Sequence, residues 1–274
     1  MQDNAGKCPI QASRAKFFYQ TSKMKPRVVL IIQARMGSTR LPGKSMMDLA
    51  GAPLVGRILE RVKRCTQLDD IILAVPNTEQ DRPLMQLGER YGIKVFKGPE
   101  HDLLERYYLA ARWANADLIG RLPADNATPE PGEIDRIVEF HIANGRRGFS
   151  SNLSTVGDSE YPDGIGAEIF DFSLLEEARS RNPSPRQREH IHLNFFDYTL
   201  NQPVDSVWCP VSSIKCPQEF RRPDLILDVN TLDQYKFMRL LYEYLYPRNS
   251  EFHITDTIWW YENIYLKSNP QKEV

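Results

Sequence analysis

The sequence predicts an α/β fold, a mostly parallel sheet with covered faces and one inserted subregion. Two observations predict it. Short continuous apolar runs, such as 28–32, stop abruptly at Gly or Pro as buried parallel strands do. Amphipathic stretches separate these runs, and strands alternating with helices at this spacing imply βαβ units. The 274 residues leave ample room for a core.

The elements follow in order. The first strand, 28–32, runs into a loop rich in Gly and basic residues. Residues 53–65 form an amphipathic helix with Leu54, Ile58, Leu59 and Val62 at helical spacing. Residues 71–75 make a second buried strand, closed by Pro76 and Asn77. A helix is expected over 79–91, a short strand over 93–96, a helix over 102–116, and a strand over 117–122 that Pro123 stops. Beyond about residue 149 the alternation weakens. Ser150, Ser151 and Asn152 lead into a polar, Gly-rich stretch, 157–166. A short strand over 167–170, a helix over 173–181, a break at Pro183 and Pro185 and a helix over 187–200 come next. Residues 225–227 read as a strand ending at Asp228, and helices over 231–246 and 255–265 close the chain. The aromatics Tyr242, Tyr244, Tyr246, Trp259, Trp260 and Tyr261 read as core or subunit contacts. The expected organisation is one domain over 27–274, with 150–222 as the inserted subregion. Residues 1–26 are polar, lack the apolar core of a secretory signal and read as a flexible N-terminal extension.

Composition narrows the function. A formal net charge of -1 argues against a general nucleic-acid binder. No apolar run approaches the ~20 residues that span a bilayer. Cys8, Cys65, Cys209 and Cys216 include no C-x-x-C pair, so neither a zinc ribbon nor a disulfide scaffold is indicated. A reducing cytoplasm fits best.

The chemistry concentrates in residues 28–44, VVLIIQARMGSTRLPGK. Gly37 and Gly43 allow tight turns and close backbone approach. Ser38 and Thr39 offer hydroxyls, and Arg35, Arg40 and Lys44 offer three positive charges. That pattern points to a nucleoside triphosphate at the end of the first strand. A Walker A loop is excluded by counting. Five residues separate Gly37 from Gly43 where four are needed, and Pro42 lacks the N–H such a loop uses. No G-x-G-x-x-G opens the first helix. The fourth strand delivers Asp125 to the same carboxyl edge of the sheet, where ligands collect in such folds. Taken alone, Asp125 reads as an Asx-turn or loop residue after Pro123 and Asp228 as a helix N-cap. Asp163-Gly164 is a strong turn signal. Arg188, Glu189 and His190 are expected to open a helix whose positive end faces an anionic ligand. His190 and His192, two residues apart, do not share a helix face, which argues against zinc.

Several separated motifs resemble the cytidylyltransferases that activate acidic sugars, the CMP-KDO and CMP-acylneuraminate synthetase group. The likeness is strongest to the branch called spore coat polysaccharide biosynthesis protein F. It rests on IQARMGSTRLPGK at 32–44, GPEHDLLERY at 98–107, Ala124-Asp125-Asn126, Tyr161-Pro162-Asp163-Gly164 with Glu168, Arg188-Glu189-His190, and Leu227-Asp228 with Asp233. It runs from about residue 27 to 246. The chain departs from the branch at Pro123-Ala124, where the branch carries Thr-Gly, and at Ala127, where proline is common.

The resemblance implies a three-layer, Rossmann-like fold of the nucleotide-diphospho-sugar transferase type. It implies that CTP is bound by Gln33, Ala34, Arg35, Gly37, Ser38, Arg40 and Lys44, with Arg35, Arg40, Lys44 and Asp125 catalytic. Mg²⁺ would be held by Asp125 and Asp228, and a small acidic-sugar-like acceptor would lie near Asp163, Gly164, Glu168, Arg188, Glu189 and His190. Arg106 and Arg121 are candidates to reach the nucleotide or Asp125. The likeness to the CMP-KDO synthetases also implies a homodimer interface on the inserted subregion. The alternative readings are a catalytically weak family member that binds nucleotide or partner proteins, and a nucleotidyltransferase using another nucleotide or a phosphonate or sugar-phosphate acceptor.

Overall fold

A computed structural model describes residues 25–154 and 156–269. Cys8 and residues 1–24 of the expected extension lie outside the described residues. Seven strands build the central sheet among them: β1 (Val28–Gln33), β2 (Asp70–Pro76), β3 (Lys94–Gly98), β4 (Leu118–Pro123), β5 (Phe149–Ser151), β6 (Glu168–Asp171) and β7 (Val211–Ser212). Their spatial order is β7-β5-β6-β4-β1-β2-β3. β1 lies parallel to both β2 and β4, and β2 is parallel to β3. β6 alone runs antiparallel to both of its neighbours, β4 and β5.

β1 is fully buried from Val28 to Ile32, and its alternating side chains feed two cores. Val28, Leu30 and Ile32 face one layer, which receives α1 (Leu54–Val62), α2 (Arg82–Arg90) and α4 (Pro131–Ala143), and also α7 (Leu232–Leu245) and α8 (Ile254–Trp260). Val29 and Ile31 face the other, which receives α3 (Leu103–Trp113) and α5 (Phe172–Ser180). Two tyrosine hydroxyls fasten helices to the site's framework. Tyr107 of α3 donates to the Ile31 carbonyl at 2.9 Å, and Tyr242 of α7 donates to the Ala127 carbonyl at 2.7 Å. The expected mostly parallel sheet between two helical layers is what the chain forms. Of the tail aromatics, Tyr242 and Trp260 are buried, against Phe252 at 5.3 Å and Phe237 at 5.5 Å, while Trp259 is half exposed.

Three expectations need correction. The helix expected over 187–200 is instead α6 (Pro185–Glu189), then a 3₁₀ turn (Ile191–Asn194) and a short hairpin of Phe196–Asp197 with Gln202–Pro203. Ser184 and Gln187 form a capping box with Pro185 in the first turn, so this helix starts early. The chain then leaves helical geometry at His190. Ile191, Phe195 and Phe196 go into the second core, where Phe195 meets Phe170 at 5.3 Å. Residues 188–190 therefore close a one-turn helix and do not open one. Residues 225–227 are extended but join no sheet, and make only isolated bridges, Asp163 with Ile226 and Asn126 with Asp228. Finally, α4, β5 and β7 fall where no element was expected. Pro131 in the first turn, followed by Ile134, Ile137 and Val138 at helical spacing, is the signal for α4.

Leu30 lies at the centre of the central strand. Leu30→Ala should lower the unfolding free energy by about 2–5 kcal/mol, read as a lower urea midpoint with unchanged m-value.

Candidate active site

An open cleft of about 800 Å³ lies beyond the carboxyl ends of β1 and β4. Its first wall is the basic loop. The loop turns at Gly43, whose φ of +73° suits glycine, and a 3₁₀ turn (Lys44–Met46) follows. Backbone bonds fold the loop on itself, with the Ser38 and Gly43 N–H groups both donating to the Met36 carbonyl. The Met36 N–H donates to the buried Asp81 carboxylate at 2.7 Å. Asp81 is thus a structural anchor of the loop that the sequence reading missed.

Lys44 reaches across the cleft. Its ammonium donates to Asp125 Oδ2 at 2.9 Å, the Val229 carbonyl at 2.7 Å and Asn230 Oδ1 at 3.1 Å, which uses all three of its donors. Arg40 donates to the same Asn230 oxygen at 2.6 Å, and Arg35 pairs with Glu189 at 3.1 Å. The Arg35–Glu189 pair is well exposed on both sides and therefore weak, so an anionic ligand can take Arg35 from it.

The extended segment 225–229 forms the opposite wall. It is strapped to the end of β4 by Val229 N–H to the Asp125 carbonyl at 2.8 Å, and to residue 163 by two 3.0 Å backbone bonds. The strap passes so close to Gly164, at φ +95°, that an added Cβ would lie 3.2 Å from the Leu227 carbonyl carbon. Gly164 thus serves close approach behind the wall. Asp228 accepts from the Gln234 amide at 3.1 Å and from the Asn230 amide.

Asp125, Asp163 and Asp228 converge here. Burial raises the Asp228 carboxyl, and the Asp125 charge raises it further. Asp163 is pushed up to about 7 by burial, then by Asp228 and Asp125. Among the described residues no group of three or more His, Cys, Asp or Glu side chains is arranged to hold a metal alone. Two carboxylates crowded by like charge still fit Mg²⁺, which is typically bound by one or two carboxylates plus substrate phosphates and water. Asp233, by contrast, is exposed and pairs with Lys236.

The far end of the cleft is a closed polar network. Arg121 pairs with the fully buried Glu168 at 2.6 Å and donates to Gln33 Oε1 at 3.2 Å, while Tyr198 donates to Glu168 at 2.9 Å. Burial alone would lower the Arg121 pKa, but Glu168 more than offsets this and holds it charged. His192 is pushed down to about 3 by burial and then by Arg121, and His190 is lowered for the same first reason. Both imidazoles are neutral near pH 7. Arg106 lines the cleft but donates to the Pro99 and Glu100 carbonyls.

Gln33, Ala34, Arg35, Ser38, Arg40 and Lys44 all line the cleft, as do Asp125, Asp163, Glu168, Glu189, His190 and Asp228. Gly37 and Arg188 do not belong to this wall, and Arg188 instead pairs with Asp102 at 2.6 Å. The main-chain groups at Gln33 and Ala34 are partly committed, since Ala34 N–H donates to Ala74 and the Gln33 carbonyl accepts from Ala124. Ala124 does not require positive φ, so the missing glycine at this position creates no backbone strain.

The profile of the cytidylyltransferases matches residues 29–236, which spans the basic loop, Asp125 and the strap. The chain belongs to the cytidylyltransferase family. A cytidylyltransferase structure from Leptospira borgpetersenii serovar Hardjo-bovis (strain JB197) superposes with a TM-score of 0.75 at 28% identity, covering 90% of this chain and 96% of that one. The spore coat polysaccharide biosynthesis protein SpsF of Bacillus subtilis (strain 168) is 28% identical over 79% of this chain and 86% of its own. The 3-deoxy-manno-octulosonate cytidylyltransferase of Anaeromyxobacter dehalogenans (strain 2CP-C) is 27% identical over 62% of this chain and 73% of its own. The family and fold that the motifs imply are therefore the ones this cytidylyltransferase has.

The raised Asp163 carboxyl has a signed consequence for stability. Its proton is held more tightly in the folded state than in the unfolded state, where the group titrates near 4. Its contribution is full below about pH 4 and is lost as pH rises through about 7. Asp163→Asn should therefore match the parent in Tm near pH 4. At pH 8 it should exceed the parent in stability by up to about 4 kcal/mol, since a titration moved from near 4 to about 7 is worth ~1.4 kcal/mol per pH unit.

Proposed function

We propose that this chain transfers CMP from CTP to an acidic sugar or a closely related acceptor, for surface polysaccharide or glycan synthesis. An acceptor oxygen attacks the α-phosphorus, its new bond to phosphorus forms, and the bond to the bridging oxygen breaks to release pyrophosphate. The observation that carries this reading is the meeting of Arg35, Arg40 and Lys44 with Asp125 and Asp228 across one cleft. Such transfer depends on positioning and charge neutralisation more than on covalent chemistry by the protein. Arg35 and Arg40 would grip phosphate oxygens through planar forks, and Lys44 would add a point charge. Together they would offset the charge that develops on the leaving pyrophosphate. Asp125 and Asp228 would hold Mg²⁺, which when bound supplies further neutralisation of the phosphates.

Asp163, Glu168, Glu189 and His190 would face the acceptor, with Gly164 and Arg188 supporting that wall from behind. The neutral imidazole of His190 suits an acceptor that carries hydroxyls, and Glu189, freed when the phosphates take Arg35, can accept from them. The names of the similar proteins support the polysaccharide setting. A homodimer through the inserted subregion belongs to the same reading and is supported by the exposed Leu200, Val204 and Val207. A reducing, cytoplasmic setting is supported by the free Cys65, Cys209 and Cys216 and by the lack, among the described residues, of a helix long and apolar enough to cross a membrane.

CTP with Mg²⁺ at one hundred times its dissociation constant should stabilise the protein by about 2.7 kcal/mol in a thermal scan. UTP, GTP and ATP should do less. A protein indifferent to every nucleotide sinks the reading. Asp125→Ala should abolish the Mg²⁺-dependent part of the CTP shift. Arg40→Ala should lower kcat/KM for pyrophosphate release by roughly 10²–10³.

A further inference from the structure

We infer that Asn230 is a positioning residue for the triphosphate, the neutral hinge that keeps the Arg40 and Lys44 cations side by side at the Asp125–Asp228 pair. The inference rests on the nucleotide reading above and concerns a side chain which that reading leaves without a role.

The geometry is specific. Asn230 Oδ1 accepts from Arg40 at 2.6 Å and from Lys44 at 3.1 Å, while its Nδ2 donates to Asp228. One amide thus holds two cations at its oxygen and one carboxylate at its nitrogen. Only a side chain that both accepts and donates can do this, and an amide does so without charge. A carboxylate in its place would add a negative charge beside Asp228 and Asp125, while a cation would repel Arg40 and Lys44.

Helix capping does not account for the side chain. The start of α7 is already capped by Thr231, whose hydroxyl accepts from Gln234 N–H at 3.3 Å, and the Gln234 amide oxygen takes the backbone N–H groups of residues 230 and 231. The Asn230 side chain is left to the cleft, which it lines. Its single oxygen serves two cations that together have more donors than it can satisfy. Phosphate oxygens, each charged and with several lone pairs, are the better acceptor. Asn230 Oδ1 therefore marks the place that a phosphate oxygen of the incoming triphosphate takes over, and until it arrives the amide holds Arg40 beside Lys44, which is itself paired with Asp125.

The role predicts a split between ligands. In calorimetric titrations with Mg²⁺ present, Asn230→Ala should weaken CTP and inorganic tripolyphosphate by roughly 10–100-fold, the worth of hydrogen bonds to charged groups. CMP, which lacks the outer phosphates, should bind within about twofold of the parent. The near-isosteric Asn230→Asp, which preserves packing, should show the same split because its charge neutralises the cations. Unchanged tripolyphosphate affinity in either variant, or equal loss of CMP and CTP, overturns the inference. A parent protein that binds tripolyphosphate but no nucleotide sinks the cytidylyl reading and leaves the role of Asn230 standing. A parent that binds neither sinks both.

Discussion

The Lys44 ammonium joins three parts of the chain that are far apart in sequence. It belongs to the loop after β1, its carboxylate partner follows β4, and its other two acceptors belong to the strap before α7. Without this cation the strap would bring Asp228 and Asp163 against Asp125 with little to offset the repulsion. The sheet supplies the rigid part of this arrangement, because β1 and β4 are parallel neighbours whose ladder ends at Gln33 and Pro123. Both loops therefore leave the sheet at the same height and on the same edge. Parallel pairing sets where the charges meet, and Lys44 makes their meeting tolerable.

The cleft divides into two electrostatic regimes. At the far end Arg121 and Glu168 are buried, matched and bound by Tyr198 and Gln33, so that region is fixed and close to neutral. At the near end the cations are held by an exposed glutamate, a neutral amide, a backbone carbonyl and the partly exposed Asp125 carboxylate. A site built this way is rigid where shape must be read and compliant where charge must be received. Burial next to Arg121 also disfavours a positive charge on His192 and His190.

Much of this was legible in the sequence because it depends on local pattern. The apolar run ending at Gln33, the clustered Arg35, Arg40 and Lys44, and the aspartate after Pro123 are all short-range signals, and parallel topology brings their loops together. Less legible were the features decided by tertiary approach. Residues 187–200 carry helical spacing, yet Phe195 and Phe196 gain more by joining Phe149 and Phe170 in the second core. Residues 225–229 alternate like a strand, with Leu225, Leu227 and Val229 inward and Ile226 outward, but pair with loops. Asn230 and Asp81 carry no motif of their own, and their importance comes only from what other segments bring to them. The region of α4 is the opposite case, since its start signal and its spacing are both present in the sequence.

The strap also has a consequence for how the protein is made. Val229 lies 185 residues after Lys44, so the basic loop leaves the ribosome long before its acceptors exist. At typical rates of chain synthesis that interval is roughly ten to forty seconds. The strands that frame the loop can pair during this time and Lys44 can meet Asp125, but Arg40 and the remaining Lys44 donors must stay solvated until the C-terminal third arrives. Truncated or stalled chains would then display a sheet without a complete cleft, so the cleft is among the last parts of the molecule to form.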